Sequence, residues 1–301
     1  MKKAFVIFIA AAAVAMQAVA GEKASGSITI KTSKVCRMLV QTWADAYMKE
    51  NPQACIRIVD SGSAGEGQPD LVVEASEEGS AASVVGRYIL LPVTTKDNPA
   101  AGELLRRRLS QYDLSLLYFE HDPSEDDEDE ELSAKRKHLI ESVTVYSGNR
   151  HGSAAEHFAR MLGYKASELR GKKIGGDDIF LLAAIAKDST GITVSNAAYL
   201  YDTASRTLRG DLLVLPLKAS KEQRQALESR NLDQLLTAFE HDDSGILPAQ
   251  TLSLEATGHP SVVAEDFAHW VATDGQQYNN RAGFLRAGTS PGGYGIVAQA
   301  N

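Results

Sequence analysis

Cysteine and proline are scarce in this chain: 301 residues hold 2 Cys and 9 Pro, and aromatic side chains make up 7%. Two cysteines cannot staple a small scaffold, which excludes a disulfide framework. So little proline, beside 24 glycines without a period, excludes collagen-like and proline-rich chains. Positive charge is the minority sign, 31 Lys and Arg against 39 Asp and Glu for a formal net charge of −8. That balance argues against a surface that grips nucleic-acid phosphates. Much of the excess is local, because residues 125–131 are seven consecutive carboxylates. Such a run repels itself and belongs in a solvated loop, here 123–132. It lacks the spaced carboxylates and interleaved Gly of a calcium loop.

Long apolar runs are missing with one exception, residues 4–15, preceded by Lys2 and Lys3 and followed by Ala18-Val19-Ala20. A positive start, an apolar stretch and a small-x-small site make residues 1–20 a secretory signal peptide cut before Gly21. No later stretch approaches the about 20 apolar residues of a membrane helix. The mature chain is therefore expected in a bacterial periplasm. Export permits a bridge between Cys36 and Cys55, but about 15 helical residues at ~1.5 Å each are expected between them. A bridge needs Cα atoms within about 7 Å, so two buried free thiols are the expectation.

What is present is an ordinary globular composition, 44% hydrophobic and 23% charged, long enough for about two domains or lobes. Residues 27–32 alternate as a strand, and Ser33 stands as N-cap to a helix carrying Val35, Leu39, Trp43, Ala46 and Tyr47 on one face, ended by Asn51-Pro52. Short apolar strands follow at 56–59, 71–73 and 88–93, then a helical stretch to about Ser110 and, past the acidic loop, a strand at 143–146. Helices are expected at 154–162, 177–186, 221–239 and 262–272, with strands at 191–194 and 212–217 and a loose tail at 291–301. Strand, helix, strand with short apolar strands reads as an α/β fold with parallel sheet.

Ser/Gly clusters at 60–67 and 147–153, and Thr32-Ser33, each follow a strand. Hydroxyls and backbone N–H groups at such strand ends make an anion site without cationic side chains, although the same residues also serve as plain turns and caps. Catalytic and metal signatures are poor. Position 61 is Ser where a nucleophile elbow needs Gly, the histidines are scattered, and Gly65-x-Gly67-x-x-Asp70 fails the dinucleotide pattern at its third Gly. The expectation is a chain with no enzymatic activity, cofactor or metal.

In order along the chain come Thr32-Ser33 before Trp43-Ala44-x-Ala46-Tyr47, Asn51-Pro52, Ser61-Gly62-Ser63-x-Gly65, Asp97-Asn98-Pro99, and Val145 to Phe158. Then follow Ala183-Ala184-Ile185-Ala186, Gly191-Ile192, Phe267-Ala268-His269-Trp270, Gly275-Gln276-Gln277-Tyr278 and Gly283-Phe284. This succession resembles the phosphate-binding-protein family of ABC-transporter substrate-binding proteins, in its PstS-like form. The resemblance implies a two-lobed periplasmic-binding-protein-like (type II) fold, with a discontinuous first lobe at 26–94 plus 206–290 and a second at 95–205. The crossings would lie near Pro92 and Arg206, and the lobes would close on phosphate or a related tetrahedral oxyanion for a membrane ABC permease, as a monomer. Carried over by position, Thr32, Ser33, Ser61, Gly62, Ser63 and Asp70 line one side of the cleft. Arg150, Gly152 and Ser153 line the other, Arg150 pairing with the anion and Asp70 accepting a proton from it. The chain departs from the family at Ala154, where a Thr is usual, and at Gly67-Gln68-Pro69, which replaces a helix. Those departures motivate an alternative: an interaction or sensing protein that kept the fold and lost the oxyanion.

Overall fold

The computed structural model describes residues 25–61, 67–75, 83–120, 137–149, 152–175, 178–241 and 245–288. The expected signal peptide at 1–20, Gly62, Ser63, Arg150, the acidic run at 125–131 and residues 291–301 lie outside the described residues.

Two five-stranded sheets organise the chain. The first runs β2-β1-β3-β12-β4, from β1 (Gly26–Thr32), β2 (Ala54–Asp60), β3 (Leu71–Ala75), β4 (Ser83–Tyr88) and β12 (Gln250–Ala256). The second runs β11-β5-β8-β6-β7, from β5 (Leu90–Thr95), β6 (Thr144–Gly148), β7 (Lys172–Ile174), β8 (Gly191–Asn196) and β11 (Leu212–Val214). A two-residue pair, β9 (Tyr201–Asp202) and β10 (Thr207–Leu208), stands apart. β1 is parallel to β2 and β3, and β6 to β7 and β8, while β12, β4, β5 and β11 pair antiparallel. Each sheet is thus mixed, with its parallel strands aimed at the interface between lobes.

The helices include α1 (Arg37–Glu50), α2 (Ala101–Arg106), α3 (Gln111–Tyr118), α4 (Ala154–Met161), α5 (Asp178–Lys187), α6 (Ala197–Leu200), α7 (Lys221–Glu228), α8 (Leu232–His241), α9 (Val262–Ala272) and α10 (Gln277–Arg281). α1 buries Leu39, Val40, Trp43, Ala44 and Tyr47, and α9 buries Phe267 and Trp270 against it through edge-on Tyr47 contacts. The Trp43 indole N–H donates to Asn279 Oδ1 at 3.0 Å, which ties α1 to α10 across the whole length of the chain.

Several expectations are corrected here. Ser33 does not cap α1: Cys36 holds the N-cap position, and its side chain accepts no helix N–H, because a tight turn with Cys36 N–H on Ser33 C=O intervenes. The single strand over 88–93 is two strands in different sheets, divided at Ile89. Pro92 therefore lies inside the second sheet, opposite Val194. Nor does the chain return to the first sheet at Arg206, since β11 pairs with β5 and the return comes only at β12. The single helix over 221–239 breaks into α7 and α8 at Arg230, whose φ of 56° is left-handed. Cys36 and Cys55 are both free thiols, but Cys55 is exposed, on the edge strand β2, rather than buried.

Candidate functional site

The carboxyl ends of the parallel strands of both sheets meet in one cleft, the place where open α/β sheets receive ligands. Ser33 follows β1, Ser61 follows β2, and Glu74 and Ala75 end β3. From the second lobe come Gly152, His157 and Arg160, on the turn after β6 and on α4. These seven residues line a cavity of about 120 Å³.

Closeness here rests on one glycine. A Cβ on Gly152, at φ +71°, would meet the Ser33 Cβ at 3.2 Å, so the lobes touch where glycine both permits the backbone and yields the space. Further contacts join the lobes around the start of α1. Asn196 Nδ2 donates to Val35 C=O at 3.2 Å and the Tyr199 hydroxyl to Lys34 C=O at 3.0 Å. Tyr88, the last residue of β4, hydrogen-bonds through its hydroxyl to Nδ1 of the buried His157.

Among the described residues, the first-lobe wall of the cavity is lined by hydroxyls and one acid. Ser61 Oγ donates to Glu74 Oε1 at 2.5 Å, and Ser33 Oγ lies 3.1 Å from Cys36 Sγ. Thr32, wholly buried, donates to Ser33 C=O at 3.2 Å. Burial pushes the Cys36 thiol up to about 12, against the hydrogen bond from Ser33, while the Glu74 charge adds a smaller push upward and Thr32 a still smaller one downward. Beside this wall, Lys34 and Arg37 both reach Asp60 at the end of β2.

On the second-lobe wall, Ser153 caps α4 by accepting from Glu156 N–H at 3.3 Å. Glu156 reaches back, its Oε2 accepting the Gly152 N–H at 2.6 Å, and lies 3.9 Å from Arg160 one turn along. Two backbone donors at this helix start are thus met from within the chain.

Of the residues singled out from the sequence, Ser33, Ser61 and Gly152 line the cavity, while Thr32 and Ser153 are buried immediately beside them. Gly62, Ser63 and Arg150 lie outside the described residues. Asp70 stands apart: its carboxylate accepts the Thr29 N–H at 2.7 Å, three residues before the end of β1. The acid in the cleft is Glu74, which sequence reasoning missed, as it missed His157 and Arg160. Alternation along β3 could have found the first, and the three- and four-residue spacing from Ser153 and Glu156 the others.

No protein-family model matches the sequence, and no curated protein sequence matches it either. Solved structures share its fold. A protein described as a phosphate ABC transporter substrate-binding protein from Clostridium perfringens, with bound phosphate, is similar at 14% identity and a TM-score of 0.56 over 87% of this chain and 99% of its own. An ABC-type phosphate transport receptor from Vibrio cholerae matches at 10% identity and 0.54, over 87% and 100%. The CcmR regulatory domain of Synechocystis PCC6803, in complex with 2-PG, matches at 12% and 0.50, over 82% and 96%. The fold is that of a two-lobed, periplasmic-binding-protein-like α/β protein. Among the described residues no helix is long and apolar enough to cross a membrane.

Proposed function

We propose that the chain is an exported solute-binding protein that takes a small tetrahedral oxyanion bearing a proton, phosphate above all, between its lobes for an ABC permease. The observation that carries this reading is the single cavity shared by Ser33 and Ser61 of one lobe and Gly152 and Arg160 of the other. The Ser33 hydroxyl, and that of Ser61 once it turns away from Glu74, supply donors, Arg160 supplies charge at the rim, and each ligand contact depends on the lobes being together. Glu74 adds selectivity. A carboxylate repels a fully deprotonated anion such as sulfate but accepts a hydrogen bond from a P–OH group, so the role expected of Asp70 passes to Glu74.

Thermal denaturation of the mature chain against phosphate, sulfate, tungstate and molybdate tests the reading. Phosphate at a hundred times its dissociation constant is expected to add about 2.7 kcal/mol of stability. Arg160→Ala should weaken phosphate about 10- to 100-fold, as loss of a charged hydrogen bond does, and Glu74→Gln should narrow the preference over sulfate. No shift with any of the four anions rejects this function.

One observation favours the second reading, a sensing or interaction protein that uses the fold without the oxyanion. The Glu156 carboxylate already occupies the Gly152 N–H that an anion at α4 would take. Silence in the anion panel, together with retention of a protein partner from an envelope extract, is the pattern this reading predicts.

A further inference from the structure

A second cavity, of about 190 Å³, lies in the second lobe beyond the edge strand β11 and shares no lining residue with the cleft. Leu208, Leu213 and Leu227 give it an apolar wall, while Arg108, Arg224 and Arg230 stand around it against one carboxylate, Glu228. The chain arranges this deliberately. The left-handed Arg230 breaks α7 from α8 and turns its guanidinium back over the outer edge of β11, donating to the carbonyls of Leu212 at 3.0 Å and Gly210 at 3.3 Å. Arg224 donates to Ala219 C=O at 3.1 Å, and exposed Arg108 has no acceptor among the described residues. With five N–H groups on each guanidinium, donors remain for an incoming anion.

Apolar walls and excess guanidinium select together. A bare inorganic anion gains nothing from leucine walls, and a neutral hydrocarbon gains nothing from arginine. We propose that this pocket is a binding site for a small organic acid, its carboxylate between Arg108 and Arg224 and its apolar body of about six carbons against the leucines. The size fits, since an apolar cavity of about 150 Å³ accepts benzene. This proposal stands independently of what the cleft binds.

Titration calorimetry of the mature chain with cyclohexanecarboxylate tests it, with cyclohexanecarboxamide as the neutral isostere. The acid is expected to bind saturably at millimolar or tighter affinity, and the amide about tenfold or more weakly. Arg108→Gln and Arg224→Gln should each weaken the acid about tenfold, and Glu228→Gln should tighten it. Inorganic phosphate in excess should not compete. Absence of saturable binding, equal affinity for acid and amide, or competition by phosphate would each overturn the proposal. So would unchanged affinity in Arg108→Gln, which alters an exposed side chain and is expected to fold, as circular dichroism would verify.

Discussion

The starts of α1 and α4 face each other across the cleft, and the chain finishes them differently. α4 is closed from within: Ser153 accepts one N–H, Glu156 takes another, and the carboxylate sits in the first turn where it complements the helix dipole. α1 has no acid in its first turn, no side-chain cap, and a buried thiol at the N-cap. Its opening turn is held by the other lobe instead, through Asn196 and Tyr199 on the carbonyls of Val35 and Lys34. A helix N-terminus attracts an anion only to the extent that its own sequence has not already supplied one. By that measure α1 is the open end and α4 the occupied one.

The most damaging way to break the comparison is to loosen α1 itself. Trp43 is wholly buried and its indole N–H is spent on Asn279, so Trp43→Ala opens a cavity and takes the indole donor from the buried Asn279 Oδ1. A cost of about 3–5 kcal/mol in urea or thermal unfolding is expected. If α1 alone positions the Ser33 wall, any phosphate stabilisation should fall with it. Phe158, buried on α4, gives the matching large-to-small change in the other lobe.

A smaller effect asks what the α1 terminus does to charge. Helix N-termini usually lower a thiol pKa, yet Cys36 is held up at about 12, so desolvation wins over the dipole. The folded state keeps this proton while the unfolded thiol, near 9, releases it. The contribution is therefore complete below about pH 9 and is lost as pH rises toward 12. At pH 10 the loss should be about 1.4 kcal/mol, read as a shallower fall of stability with pH in Cys36→Ala than in the parent chain. Iodoacetamide at pH 8 should label only the exposed Cys55 in the folded protein.

The same contrast explains what could be read from the sequence. Local pattern suffices for α9, expected over 262–272 and found at those limits, and for strands at 27–32 and 191–194, whose apolar residues need no distant partner to be recognised. The carboxyl-end position of Ser33, Ser61 and Gly152 was legible because turn residues follow strands directly. Pairings between distant segments were not. β11 joins β5 across more than a hundred residues, and only that pairing shows that 212–214 belongs to the second sheet. Asp70 and Glu74 are four residues apart on one segment, and their roles separate only through the register that sets Val73 beside Thr32. One carboxylate then meets a backbone N–H inside the sheet, and the other reaches the cleft.

Removing the charge that closes α4 is the sharpest test, although its effect is the smallest. Glu156→Gln keeps the side-chain length and an oxygen that can accept the Gly152 N–H, but it removes the negative charge beside Arg160 and opposite Ser33. The helix should lose about 0.5–1 kcal/mol of stability, the worth of a first-turn carboxylate. An oxyanion in the cleft should gain about the same amount in affinity, roughly two- to fivefold, because it no longer meets a carboxylate and Arg160 is released from it. Stability and affinity moving in opposite directions would show that Glu156 and the ligand compete for one helix end. Loss of both would mean that Glu156 holds the wall in place for the anion, and that the two N-termini act as partners rather than as an open and an occupied end.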